Sequence, residues 1–422
     1  MSRASLALAL ALALPALAVS GRQQAPPPAP AAPRAPAPAR ASRPLPAAAI
    51  VIDTHADTTA RLLFEDFDPA VRHEEGHLDI PRMREGGLDA VFLSIWVPPT
   101  VTGAPAIKRA LDQIDAIREA VRHHPRDLVL ATTAADIRRA HATGRIAVLM
   151  GVEGGHMIDD DLGVLRQFAA LGVRYLTLTH TAPTNWADSS GAPPKNDGLK
   201  EFGRKVIREL NRLGVMVDVS HVSDKTFWDV LETSIAPVLA SHSSMRALSN
   251  HPRNLTDEML KALAKQDGVV QINYDTEFLS QAFRDAVVAR STEIAAAQKT
   301  VAARCGDNSA CATREMERQV RQMMASGVLP EVSWEKIVEH VDHAVKIAGV
   351  DHVGLGSDFD GAWMPLGMED VSQLPKIAAG LRKMRYTDAA IRKILGGNTL
   401  ALMERVEAAS REVARTEARG DQ

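Results

Sequence analysis

The chain has 422 residues, 45% of them hydrophobic, enough for one large core or two ordinary ones. A formal net charge of -3 and the absence of any basic run argue against a surface built to hold nucleic acid. Neither figure names a substrate.

In chain order, Arg3 precedes an alternating Ala/Leu run over Ala4 to Leu14, then Pro15 and the small residues Ala18 to Ser20. That order of charge, apolar core and small-residue site reads as a secretory signal over residues 1–20. The run is too short to span a bilayer comfortably, although an uncleaved anchor is the competing reading. Residues 21–48 are dominated by Pro and Ala and read as a solvated, semi-extended linker. The end of the chain lacks the hydrophobic tail of a lipid-anchor signal, so no stable membrane anchor is expected. The protein is expected to be exported, either periplasmic or secreted.

The globular domain is expected over 49–410, followed by a charged tail over 411–422. Eight apolar runs read as strands: Ala49 to Thr58, Leu88 to Val97, Ile146 to Glu153, Val173 to His180, Val215 to His221, Val238 to His242, Val269 to Asn273 and Val353 to Asp358. Amphipathic helical stretches separate them, among them Ile107 to Val121, Leu162 to Leu171 and Leu199 to Leu213. This alternation fits an α/β fold of the (β/α)8 TIM-barrel type better than a doubly wound sheet. A long helical insertion, 276–330, follows the seventh strand, with helices expected over Gln281 to Ala303 and Ala312 to Ala325. It would sit over the barrel mouth or at a subunit contact. The two cysteines, Cys305 and Cys311, lie at its turn. In an oxidising compartment so short a loop reads as a disulfide, with a thiolate metal site as the alternative.

The strand ends carry the chemistry. The first delivers His55 and Asp57, which project to one face because residues i and i+2 of a strand do so. The third delivers Glu153, the fourth His180, the fifth His221, the sixth His242 and the eighth Asp358. Barrel active sites assemble where strand carboxyl ends converge. Imidazole nitrogens and carboxylate oxygens suit zinc, although manganese or cobalt would also accept them. Glu153, with two oxygens, would bridge two ions that share a hydroxide, one ion held by His55 and Asp57, the other by His221 and His242. Each residue has a plainer reading as well. Glu153 could cap a helix, His180 could be a satisfied core histidine, and Asp360 competes with Asp358, one of them bonding loop amides. Asp218 reads as structural, and His156, His251 and His352 as ordinary loop residues.

The motifs VIDTHADT, GVEGGH, LTLTHT with NWADSS, DVSH, ASHSSMRALSNHPRN and HVGLGSDFDG stand in unbroken order. Together they resemble the membrane dipeptidase (renal dipeptidase) family of dinuclear zinc peptidases, over about residues 50 to 405. The resemblance implies a dipeptidase with two Zn2+ per chain, working as a homodimer. It implies that His55, Asp57, Glu153, His221 and His242 are metal ligands, with Glu153 also in the catalytic set. His180 would bond the oxygen on which charge develops, Arg253 would hold the substrate's C-terminal carboxylate, and Asp358 would manage protons. Family members also tolerate C-terminal D-residues and some β-lactam rings. The mammalian lipid anchor finds no counterpart here, and the insertion's two cysteines are not matched to family counterparts, which leaves lid contacts and dimer geometry open. Competing functions are another binuclear amidohydrolase acting on a cyclic amide, N-acyl amino acid or β-lactam, and an exported binding protein without turnover.

Overall fold

The computed structural model describes residues 45–420; the expected signal and all but the end of the expected linker lie outside the described residues. Nine strands follow in chain order: β1 (Ile52–Ala56), β2 (Ala90–Trp96), β3 (Leu128–Leu130), β4 (Ile146–Glu153), β5 (Val173–Thr177), β6 (Met216–Asp218), β7 (Leu239–Ser243), β8 (Val269–Ile272) and β9 (Val353–Leu355). The short β3, absent from the sequence reading, pairs with β4 and stands off the ring. The other eight run parallel in the order β1-β2-β4-β5-β6-β7-β8-β9. Just past the strand ends the ring closes through two backbone bonds, Asp358 N to His55 O at 3.0 Å and Asp57 N to Phe359 O at 2.7 Å. The fold is a (β/α)8 barrel.

Strand patterning follows from burial on both faces. All eight residues of β4 are buried, as expected for parallel sheet covered by helices. Alternate residues Ile52, Phe92, Leu149, Tyr175, Met216, Leu239 and Val269 share one apolar cluster that fills the barrel. Their neighbours Val51, Val91, Val148, Leu176, Val217, Ala240 and Val270 pack outward with the helices. A side chain at position 151 would bring its Cβ to 1.9 Å from the Tyr175 ring, so glycine there lets the ring lie across the interior. The helix Glu201–Leu213 shows the outer layer's logic. It buries Val206, Ile207 and Leu210 on one face and ends at Gly214, whose φ of 68° no branched residue would adopt cheaply.

The insertion after β8, the seventh barrel strand, is helical. The single helix expected over Gln281 to Ala303 is two, Gln281–Ala289 and Ser291–Cys305, meeting at Arg290. A further helix, Ser309–Ala325, follows a turn closed by the Cys305–Cys311 disulfide, and no free cysteine is left for a thiolate metal site. Of the expected tail over 411–422, residues 411–420 continue the helix Asn398–Gly420, and 421–422 lie outside the described residues. No helix of the described residues is long and apolar enough to cross a membrane.

Candidate active site

Glu153 organises the carboxyl end of the barrel. It closes β4 on the same face as Leu149 and Gly151, so its carboxylate points into the interior, 3% exposed. Its two oxygens face different partners. Oε2 lies 3.5 Å from Nε2 of His55, while Oε1 lies 2.9 Å from Nε2 of His221, 3.3 Å from Nε2 of His242 and 3.8 Å from Nε2 of His180. Nε2 of His55 is also 3.6 Å from Oδ2 of Asp57 and 4.0 Å from Oδ1 of Asp358. All seven strand-end groups singled out in the sequence therefore meet in one cluster.

Simple alternation would not bring them there. His55 is one residue past Thr54, whose hydroxyl already reaches across the barrel to the carbonyls of Ser241 and Leu355. The β1 pairing slips between Asp53 and Ala56, so two successive side chains turn inward. The same happens on β7, where the pairing slips between Ala240 and Ser243 and both Ser241 and His242 face the site. His221 is turned by a left-handed backbone, φ 66°, as is Asp358.

A supporting layer aims the histidines. Nδ1 of His55 lies 2.8 Å from the hydroxyl of Tyr175, and Nδ1 of His242 lies 2.8 Å from Oγ of Ser241. Asp218, buried beneath them, accepts from the backbone of Ser220 and Ser241 and from the hydroxyls of Thr177 and Ser241. Asp218 holds the structural place expected of it from sequence, whereas Tyr175 and Ser241 belong to no candidate set there. Their one signal is position, on interior-facing parity of β5 and immediately before His242.

The donor set fits a divalent cation on three counts. Nε2 of His55 is buried with no hydrogen-bond partner among the described residues. Nε2 of His221 and Nε2 of His242 sit 2.9 Å apart, which two lone pairs tolerate only when a proton or cation is shared. Three groups of side chains each offer ligand atoms within 4.8 Å of one another: His55, Glu153 and His242; Glu153, His180 and His221; His55, Asp57 and Asp358. Burial holds the pKa values of His221 and His242 well below the usual histidine range, so both offer neutral nitrogens. Burial also pushes Asp358 up to about 7, with the Asp57 and Glu153 carboxylates adding to it against the pull of His55.

The cleft above, about 320 Å³, is lined by Phe64, Trp96, His180, Asp275 and Phe278 besides the carboxylates. Asp360 is the loop-bonding partner of the two aspartates. It accepts from the backbone of His77 at 2.7 Å and from the hydroxyl of Thr58 at 2.5 Å. Arg253 lies buried beside β7, its guanidinium donating to the carbonyl of His242 at 3.0 Å and to Oγ of Ser243 at 3.3 Å. Its Nε has no partner, and among the described residues no carboxylate pairs with it. His251 and His352 are half-buried loop residues, bonded to Glu277 and to the carbonyl of Gly268 respectively. His156 lies close enough to His180 for that ring, after burial, to help lower its pKa to about 4.

The model of the membrane dipeptidase family, peptidase family M19, matches residues 39–417. Among solved structures, dipeptidase AC, a metallo peptidase of family M19, is 32% identical with a TM-score of 0.70, covering 85% of this chain and 98% of its own. A metallo peptidase from Rhodobacter sphaeroides, liganded with a phosphinate mimic of the dipeptide L-Ala-D-Ala, is 31% identical with a TM-score of 0.69, covering 85% and 99%. The probable dipeptidase PvdM from Pseudomonas aeruginosa is 26% identical with a TM-score of 0.72, covering 86% and 96%. With the match spanning nearly the whole described domain, the chain belongs to the membrane dipeptidase family, peptidase family M19.

Proposed function

We propose that this protein is an exported zinc-dependent dipeptidase holding two Zn2+ per chain, with His55 and Asp57 on one ion, His221 and His242 on the other, and Glu153 shared. The observation that carries the reading is the division of Glu153, one oxygen toward His55 and the other toward His221 and His242. Such ions, when bound, make a water nucleophilic near neutral pH and polarise the scissile carbonyl.

The remaining work falls to the chain's own residues. Arg253 is a buried cation that no carboxylate among the described residues meets at ion-pair distance, and a buried charge calls for a partner. A free C-terminal carboxylate supplies one, held by the guanidinium fork. His180, neutral because burial lowers its pKa, donates to the oxygen on which charge develops. Asp358, its pKa pushed up to about 7, takes a proton from the attacking water and passes it to the leaving amine. The cleft's modest volume suits a dipeptide. We extend the reading to dipeptides with a C-terminal D-residue, the configuration in the mimic bound by the Rhodobacter sphaeroides enzyme. The disulfide and the signal-like order of residues 1–20 in the sequence support export.

Two measurements test this. Elemental analysis of the purified protein should find about two zinc per chain. The kcat/KM for L-Ala-L-Ala should exceed that for its C-terminal amide by at least about 30-fold, the low end for leaving a buried charge unpaired. Equal turnover of the two would return the protein to the broader class of amidohydrolases.

A further inference from the structure

The helical insertion reaches the catalytic cleft. Ser309, Ala312 and Thr313, in the first turns of the helix Ser309–Ala325, line it together with Asp57 and Glu153. Ala312 and Thr313 also line a second cavity of about 380 Å³, whose far walls include Val301, Met316 and Trp363. Asp275, Phe278, Gly361 and Ala362 border both, so the second space is a side chamber of the first.

This wall is fastened to the barrel. Arg109 pairs with Asp307 at 3.0 Å, Arg314 with Glu65 at 2.6 Å and His77 with Glu317 at 2.9 Å. The Cys305–Cys311 disulfide closes the turn that leads into it. Ala312 and Thr313 are thus held at one place relative to the catalytic groups.

Residues at the mouth of the chamber adjoin two groups that the dipeptidase reading uses. On one side stands Phe278, whose ring centroid lies 5.4 Å from the guanidinium carbon of Arg253. On the other stand Gly361 and Ala362, three and four residues after Asp358. In the dipeptidase reading Arg253 holds the C-terminal carboxylate and Asp358 serves the leaving amine. The side chain between those two points belongs to the C-terminal residue. The chamber offers Val301, Met316, Trp363 and Ala312 as apolar surface, and no lysine or arginine lines it. An aromatic or branched side chain would bury its surface there, while a carboxylate would meet Asp275 and Glu277.

We propose that Ala312 and Thr313 are specificity-determining residues, standing between the catalytic cavity and a side chamber that receives a bulky apolar side chain on the dipeptide's C-terminal residue. The proposal rests on the dipeptidase reading. It is tested by measuring kcat/KM for L-Ala-L-Phe and L-Ala-Gly with the zinc-loaded wild type and with Ala312→Trp, which fills the chamber mouth. Ala312→Leu is the smaller step, used if circular dichroism shows the tryptophan variant misfolded. Wild type should prefer L-Ala-L-Phe, and the substitution should cut the ratio of the two values at least tenfold, chiefly through KM. If wild type hydrolyses both and the ratio does not move, the dipeptidase reading stands and this proposal falls. If wild type hydrolyses neither, the reading has failed and the proposal with it.

Discussion

The hydroxyl of Ser241 lies 2.8 Å from Nδ1 of His242 and, on its other side, donates to Oδ2 of Asp218 at 2.6 Å. With its own proton committed to the carboxylate, Ser241 accepts the Nδ1 proton of His242. That leaves the lone pair of Nε2 facing Glu153 and any cation beside it. Ser241→Ala removes the acceptor and frees both tautomer and ring. Zinc affinity, measured by competition with a chromophoric chelator, should fall roughly 10–100-fold, the usual cost of losing a partner behind a metal-bound histidine. An affinity equal to wild type would deny Ser241 this orienting role.

Arg253→Ala should act on binding of the free carboxylate and little else. Losing the partner of a buried charge costs about 2–5 kcal/mol, which corresponds to at least about 30-fold in kcat/KM for L-Ala-L-Ala. The dipeptide amide, having no charge to lose, should change far less. Parallel losses for acid and amide would assign Arg253 to the loop's integrity, through its bond to the carbonyl of His242, and not to the substrate.

The barrel was readable because its strands are continuous apolar runs and its helices are strongly amphipathic; Ile146 to Glu153 is the strand that the structure contains. The three-residue β3 carries too little pattern to stand out. At the site, the spacing of His55 and Asp57 pointed to a shared face, but their inward aim depends on the slip in β1, since parity from Ile52 and Thr54 would turn His55 toward the helices. His242 has the same dependence on β7. Such slips are set by neighbouring strands, which local sequence does not record. Tyr175 reaches His55 across 120 positions, and Ala312 reaches the cleft from an insertion expected over the barrel mouth or at a subunit contact, with nothing in its sequence to mark which side chains line the site. Long-range closure of this kind leaves no periodic trace.

Acid should destabilise the protein partly through His340. Its Nδ1 accepts from the backbone of Met245 at 3.0 Å, so Nε2 carries the proton and donates to the carbonyl of Leu279 at 3.1 Å. Burial, with His343 and Lys336 nearby, pulls its pKa from 6.5 down to about 4, the bond to Leu279 opposing them. Between those values the unfolded chain binds a proton that the folded chain refuses. The contribution is therefore fully present above pH 6.5 and is lost as pH falls toward 4. Comparing urea unfolding at about pH 7.5 and 5, His340 should account for about 2 kcal/mol of the loss. His340→Gln, which keeps a donor and an acceptor but does not titrate, should lose less stability than wild type over the same interval. An identical pH dependence in the two proteins would rule His340 out as a source.

Asp358, the residue proposed to handle protons, is held by three local features. Its backbone is left-handed, φ 66°, its Oδ2 accepts from the side-chain amide of Asn273 at 2.9 Å, and its Oδ1 stays free toward His55 at 4.0 Å. Close approach of its loop to Asp57 also needs Gly361, since a Cβ there would lie 2.0 Å from Oδ2 of Asp57 and 2.6 Å from Oδ1 of Asp358. Asp358→Asn preserves size and leaves the five proposed ligands, His55, Asp57, Glu153, His221 and His242, in place, so zinc content by elemental analysis should match wild type. Proton transfer is lost, and kcat for L-Ala-L-Ala should fall by about 10²–10⁴. A variant that loses zinc along with turnover would make Asp358 a ligand, consistent with its placement beside His55 and Asp57. A variant with full zinc and undiminished kcat would take the carboxylate out of the reaction altogether.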